Sequence, residues 1–205
     1  MESNKTNFLL GMFVSSLIGA NLLGNKITEI FGIRTSVGVF LFPILFLITD
    51  IVEEVHGKEK AKSFVYVALL CQIFIFLMVY LAIIAPPNPA WGNQEAYESV
   101  FYASMRIIIA SIVAFFISQI HDVWAFQFWK NKTKGKYLWL RNNLSTIASQ
   151  FIDTTIFMFI AFYMANPKFD ISFIFTLILP YWLLKVLFAL CDTPFVYLGV
   201  RWLKR

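Results

Sequence analysis

Six stretches of sequence are almost free of charge: Phe8 to Gly24, Ser36 to Ile51, Ser63 to Ala85, Val100 to Phe128, Leu144 to Ala165 and Ile171 to Val200. A helix rises about 1.5 Å per residue, so about 20 residues cross a hydrocarbon core of roughly 30 Å. The expected fold is therefore all-α: a polytopic membrane protein with six transmembrane helices, forming a single transmembrane domain over residues 1–205. The second stretch is short and the fourth and sixth are long. Tilt or kinks absorb excess length, and Pro180 and Pro194 free backbone groups in the sixth. Composition agrees, with 59% hydrophobic and 14% charged residues, against roughly 45–50% and about 25% in a soluble domain. The amino-terminal apolar run lacks a small-residue cleavage site followed by a soluble domain, and reads as the first span.

The net charge of +5 is explained by topology rather than by nucleic acid. Lys5, Lys58, Lys60, Lys62, Lys130, Lys132, Lys134, Lys136, Arg141, Arg201, Lys204 and Arg205 make twelve of the 17 basic residues and fall on one side. Lys26, Arg34 and Lys168 fall on the other, while Arg106 and Lys185 lie within spans. Basic residues gather in cytoplasmic loops, so both the N-terminus and the C-terminus are expected in the cytoplasm. The segment from Pro86 to Gly92 has no Lys or Arg and is rich in turn formers, as suits an external loop. Trp91, Trp129, Trp139 and Trp202 sit near span ends, where indole favours the interface. Cys71 and Cys191 lie in apolar sequence and read as small hydrophobes.

Asp50, Arg106, Asp122, Asp153, Lys185 and Asp192 interrupt the apolar sequence. Each costs about 2.5–3.5 kcal/mol at a bilayer centre, so they must pair, face a wet cavity or lie near an interface. Lys185 and Asp192 are two turns apart on one face, Asp50 shares a face with Glu53 and Glu54, and Asn21 and Asn25 are four apart. Spans four and five share a short similarity, Ser118-Gln119-Ile120-His121-Asp122 and Ser149-Gln150-Phe151-Ile152-Asp153. It puts an amide and a carboxylate one turn apart on neighbouring antiparallel helices. Arg106 is assigned to an outer polar layer with Asn21, Asn25 and Lys26. Asp50, Glu53 and Glu54 read either as part of a polar stripe or as interfacial residues opening a cytoplasmic loop. Asp122 and Asp192 lie near cytoplasmic span ends, within reach of basic loops. Asp153 and Lys185 fall mid-span, where ionisable residues are functional candidates; a structural bridge between them is the alternative. These groups are expected to meet around a hydrated pocket.

Other patterns lead nowhere. Gly19 to Lys26 has the glycines of a phosphate loop, but its Lys is displaced and no Ser or Thr follows. Glu53, Glu54 and His56 lack a second nearby His and precede three lysines, so no metal site is expected. No nucleophile or metalloprotease motif supports an enzyme, and no cofactor is called for. Gly11, Ser15 and Gly19 form a small-residue ridge that suits helix packing within the bundle or against a partner, a homodimer included.

The run from Phe42 to Lys58, with Arg106, Gln119 to Asp122, Ser149 to Thr154 and Lys185 to Pro194, resembles the queuosine precursor transporter family of the vitamin uptake transporter group. The resemblance covers nearly the whole chain. It implies import of a small deazapurine, 7-cyano-7-deazaguanine or 7-aminomethyl-7-deazaguanine, across a prokaryotic inner membrane, with the lipid bilayer as surroundings and no nucleic acid partner. The candidate substrate-binding residues are Asn21, Asn25, Asp50, Arg106, Gln119, Asp122, Gln150, Asp153, Lys185 and Asp192. A carboxylate, Asp153 or Asp122, would take the donor edge of the base. Gln119, Gln150 and Lys185 would surround its carbonyl, with a Phe or Tyr beneath the ring. A facilitator or secondary transporter is the first reading. A substrate-binding subunit of an energy-coupling-factor importer and a scaffold with internal ion pairs are the alternatives.

Overall fold

The computed structural model describes residues 2–24, 26–30, 33–102, 105–164, 167 and 169–204. Asn25, Lys168 and Arg205, each singled out above, lie outside the described residues, as does Ala165. The described residues are predominantly helical. In chain order it contains α1 (Glu2–Leu23), a hairpin of β1 (Ile27–Ile30) and β2 (Ile33–Ser36), a 3-10 turn (Val37–Phe40), α2 (Phe42–His56), α3 (Lys58–Ile84), α4 (Gln94–Tyr102), α5 (Met105–Lys132), α6 (Leu138–Phe162) and α7 (Ile171–Lys204).

Side-chain contacts sort the helix ends. Thr6 near the start of α1 meets His56 at the end of α2 at 3.0 Å, and the Lys5 ammonium donates to the Trp202 carbonyl near the end of α7 at 2.8 Å. Glu54 on α2 pairs with Lys130 on α5 and Arg141 on α6. One end of the bundle, the basic end, thus gathers the start of α1, the α2–α3 junction, the α5–α6 turn and the end of α7. The long helices α1, α3, α5, α6 and α7 and the shorter α2 pack together in this bundle. Five segments among the described residues are long and apolar enough to cross a membrane; α2, with 15 residues, is shorter.

Element bounds depart from the sequence expectation where polar residues extend helices. The second stretch is drawn above as Ser36 to Ile51, yet α2 continues to His56, because no breaker intervenes before Gly57. Gly57 adopts φ +84°, a conformation costly for any residue with a Cβ, and so reverses the chain in one residue. Glu53 and Glu54 are therefore helical, and Lys58, Lys60 and Lys62 open α3. Likewise α6 begins at Leu138 rather than Leu144 and takes in Arg141. The antiparallel hairpin, with Ile27 opposite Ser36, was not foreseen.

Phe13 of α1 packs its ring 6.1 Å from Phe64 of α3 and 6.0 Å from Phe115 of α5, centring a buried apolar cluster. Of the small-residue ridge, Gly11 and Ser15 are exposed and only Gly19 approaches another element, at Leu41. At the opposite end from the basic residues, α1 and the 3-10 turn come together: Ser36 Oγ donates to the Gly24 carbonyl at 2.6 Å and accepts from the Gly38 N–H at 3.1 Å. A Cβ on Gly38 would stand 2.6 Å from the Ala20 carbonyl oxygen. Gly38→Ala is expected to destabilise the protein by about 1–3 kcal/mol, the usual cost of overpacking. Thermal unfolding in detergent checks this; an unchanged midpoint would show that the joint yields.

Candidate functional site

The buried face of α6 is polar along most of its length. Of its buried residues, Arg141, Asn142, Asn143, Ser145, Thr146, Ser149, Gln150, Asp153 and Thr154 are polar or charged, and only Met158 and Ala161 are not. Pairs of polar residues recur every four positions, so a helix of 3.6 residues per turn stacks them into one stripe. The stripe runs from Arg141 at the basic end to Asp153, about 18 Å away along the axis.

At its far end the stripe meets a cavity of about 450 Å³. Asn21 and Ser36 bound it on one side, Ser111 on another, and Asp153 and Lys185 on a third; Phe42, Phe157, Phe162 and Tyr181 supply aromatic walls. Lys185 donates to Asp153 Oδ2 at 2.6 Å, and both side chains are 5% exposed or less. Ser118 donates to Asp153 Oδ1 at 3.2 Å. The Lys185 ammonium lies 4.6 Å from the centre of the Phe42 ring and 5.5 Å from that of Tyr181. The ion pair is thus formed, and it lines a cavity between rings. Asn21 is held by a bond from its amide to the Leu17 carbonyl at 3.0 Å.

Between the cavity and the basic end lies a second polar layer. Asp50 of α2, Asp122 of α5 and Asp192 of α7 are within Coulombic range of one another. Asp122 lies beside Ser145 and Ser149, Asp192 beside Asn142, and Asp50 Oδ2 accepts from Thr146 at 3.4 Å. The similarity between α5 and α6 takes physical form here. Ser118 of one helix contacts Asp153 of the other, while Asp122 of the first lies beside Ser149 of the second. The two contacts join matching positions of the two short similar segments, with the helices exchanged. His121 adds a bond to Ser149 at 2.9 Å.

Among residues 36–199 the sequence matches the profile of the family described as "Putative vitamin uptake transporter". The chain belongs to the vitamin uptake transporter family. It is 28% identical over 192 residues to the "Probable queuosine precursor transporter" of Bacillus subtilis, covering 92% of this chain and 82% of that one. It is also 28% identical over 166 residues to the "Queuosine precursor transporter" of Escherichia coli, covering 80% and 72%. A Haemophilus influenzae relative named "Probable queuosine precursor transporter" is 25% identical over 143 residues, covering 68% and 57%. No solved structure matches the chain. This vitamin uptake transporter is a multi-pass protein of the prokaryotic inner membrane.

Of the candidate residues named from sequence, the transporter's cavity gathers Asn21, Asp153 and Lys185. Asp50, Gln119, Asp122, Gln150 and Asp192 are buried but do not line it. Arg106 is exposed and caps α6, its Nε and Nη2 donating to the carbonyls of Ile160 and Tyr163 at 2.7 and 2.6 Å. The basic residues expected near Asp122 and Asp192 go elsewhere: Arg141 and Lys130 hold Glu54 at 2.5 and 2.9 Å. Sequence reasoning missed Phe42 and Tyr181 as specific walls, and Asn142, Ser145 and Thr146 as members of the stripe. The four-residue recurrence of polar pairs on α6 was a signal that could have found the latter three.

Proposed function

We propose that the chain is a single transmembrane unit crossing the membrane six times, with both ends in the cytoplasm, and that it imports queuosine precursors. The contact of Lys5 with Trp202 supports an even number of crossings, because it puts both ends on one side. The crowding of basic residues at that end supports a cytoplasmic assignment. The cavity then lies in the outer half, with the acidic layer between it and the cytoplasm.

One observation carries the substrate reading: the buried ion pair between aromatic rings at the cavity wall. Side by side, the Lys185 ammonium and the Asp153 carboxylate offer a donor followed by two acceptors. A deazaguanine offers the complement, a carbonyl oxygen followed by a ring N–H and an amino group. Each carboxylate oxygen keeps a lone pair beyond the one already used. Phe42 or Tyr181 takes the flat face of the base, and a volume of about 450 Å³ falls within the roughly 300–1,000 Å³ of small-molecule sites.

Equilibrium binding to the purified protein tests this. 7-Cyano-7-deazaguanine is expected to bind saturably, and 7-cyano-7-deazaadenine, whose edge is reversed, about 100-fold more weakly or worse. Phe42→Ala is expected to weaken binding by about 1–3 kcal/mol through lost stacking. Equal affinity for the two bases would remove the assignment. Uptake into liposomes by the chain alone separates a self-sufficient carrier from a subunit that needs an ATPase.

A further inference from the structure

The acidic layer carries more negative charge than its surroundings neutralise. Asp50, Asp122 and Asp192 are 1%, 0% and 9% exposed, and no ion pair joins them to a cation among the described residues. Lys185 is committed to Asp153, and Lys130 and Arg141 to Glu54. Three buried carboxylates facing one another cannot all remain ionised in a low-dielectric interior.

The hydrogen-bond inventory points the same way. Asp50 Oδ1, both carboxylate oxygens of Asp122 and Asp192 Oδ1 make no well-formed hydrogen bond, although Ser145 and Ser149 stand beside Asp122 and Asn142 beside Asp192. The amide oxygen of Asn142, which lies beside Asp192 and is 1% exposed, has none either. Acceptors exceed donors in this layer. A proton on a carboxyl corrects both imbalances at once, since it removes a charge and turns an acceptor into a donor. A metal ion fits less well: no group of three or more acidic, histidine or cysteine side chains is spaced to hold one among the described residues.

From these observations we infer that Asp50, Asp122 and Asp192 form a proton-carrying centre that couples import of the cavity's substrate to inward movement of protons. The inference rests on the import reading given above. Four helices contribute groups that face the centre, and His121 of α5 reaches it through the Ser149 hydroxyl. Asp50 and Glu53 come from α2, Asp122 from α5, Asn142, Ser145, Thr146 and Ser149 from α6, and Asp192 from α7. Glu53, 1% exposed, is in Coulombic range of Asp122 on one side and of Lys130 and Lys58 on the other. It stands between the centre and the basic end. A proton enters from external water by way of the cavity, forms an O–H bond on Asp122 or Asp50, and leaves through Glu53 to cytoplasmic water as that bond breaks. No other atom changes partner. The serines of the α5–α6 pair place one hydroxyl at the cavity, Ser118 beside Asp153, and one at the centre, Ser149 beside Asp122.

The full chain is reconstituted in liposomes, and labelled 7-cyano-7-deazaguanine is followed under an inside-alkaline gradient, under an inward sodium gradient, and in counterflow without a gradient. One pH unit is expected to drive accumulation up to about tenfold for one proton per neutral substrate, and sodium to drive none. Asp122→Asn, and independently Asp50→Asn in case the first fails to fold, are expected to keep binding and counterflow and to lose gradient-driven accumulation. Wild-type counterflow without proton-driven accumulation overturns the inference, as does accumulation driven by sodium or retained in both variants. Absence of wild-type binding and counterflow instead overturns the import reading, and this one with it.

Discussion

Lys185→Met is expected to abolish precursor uptake and to lower the stability of the purified protein by about 3–5 kcal/mol, the usual cost of stranding one partner of a buried ion pair. The Asp153 carboxylate would keep only the Ser118 hydroxyl, at 3.2 Å, in a site where it is 4% exposed. No other cation stands beside it among the described residues to take the place of Lys185. The double variant Asp153→Asn, Lys185→Met removes both charges together and is expected to recover most of the stability. It is not expected to recover uptake, because the donor and acceptor pattern offered to the base is gone. Thermal unfolding in detergent and uptake into liposomes measure the two quantities separately. A stable and active single variant would show that the pair neither holds the bundle nor meets substrate.

The second large effect is expected at the basic end. Arg141 is 1% exposed; it pairs with Glu54 at 2.5 Å and donates to the Gly135 carbonyl at 2.8 Å, so it ties the α5–α6 turn to the end of α2. Its guanidinium also lies 5.4 Å from the centre of the Phe126 ring. Arg141→Met keeps the apolar stem but leaves Glu54 with Lys130 alone. A loss of about 3 kcal/mol is expected, at the lower end for a broken buried pair because one cation remains. Reversing the pair, Arg141→Glu with Glu54→Arg, is expected to return part of it. Unfolding midpoints of the wild type, Arg141→Glu, Glu54→Arg and the reversed double variant form a double-mutant cycle, and a coupling near zero would mean that the pair contributes nothing beyond its packing.

The gross architecture was legible because its causes are local. Uncharged runs such as Ser63 to Ala85 have no alternative in water, and α3 and α7 follow them closely. The distribution of lysines anticipated which loops share an end, and the contacts among Thr6, His56, Glu54, Lys130 and Trp202 agree with it. Helix ends were less legible. Charged residues such as Glu53, Glu54 and Arg141 look like loop in an apolar sequence, yet Glu54 and Arg141 pair inside the bundle and the helices run on through all three. The site was legible residue by residue but not as an assembly. That Asp153 and Lys185 matter follows from the cost of mid-span charge. That they pair, and that Phe42 flanks them, depends on how α2, α6 and α7 pack, which spacing alone does not specify. Arg106 shows the limit: its charge marked it in the sequence, but the carbonyls of Ile160 and Tyr163 that hold its guanidinium depend on how α5 and α6 pack.

Pro180 lies inside α7 and borders the cavity, as does Thr176 one turn before it. Lacking an amide hydrogen, the proline leaves the Thr176 carbonyl without its helical donor. The polypeptide itself thus leaves a main-chain oxygen without its usual helical partner in a residue that borders this chamber, an acceptor that truncating nearby side chains cannot delete. Only changing the imino acid would retire it, by returning that oxygen to its own helix.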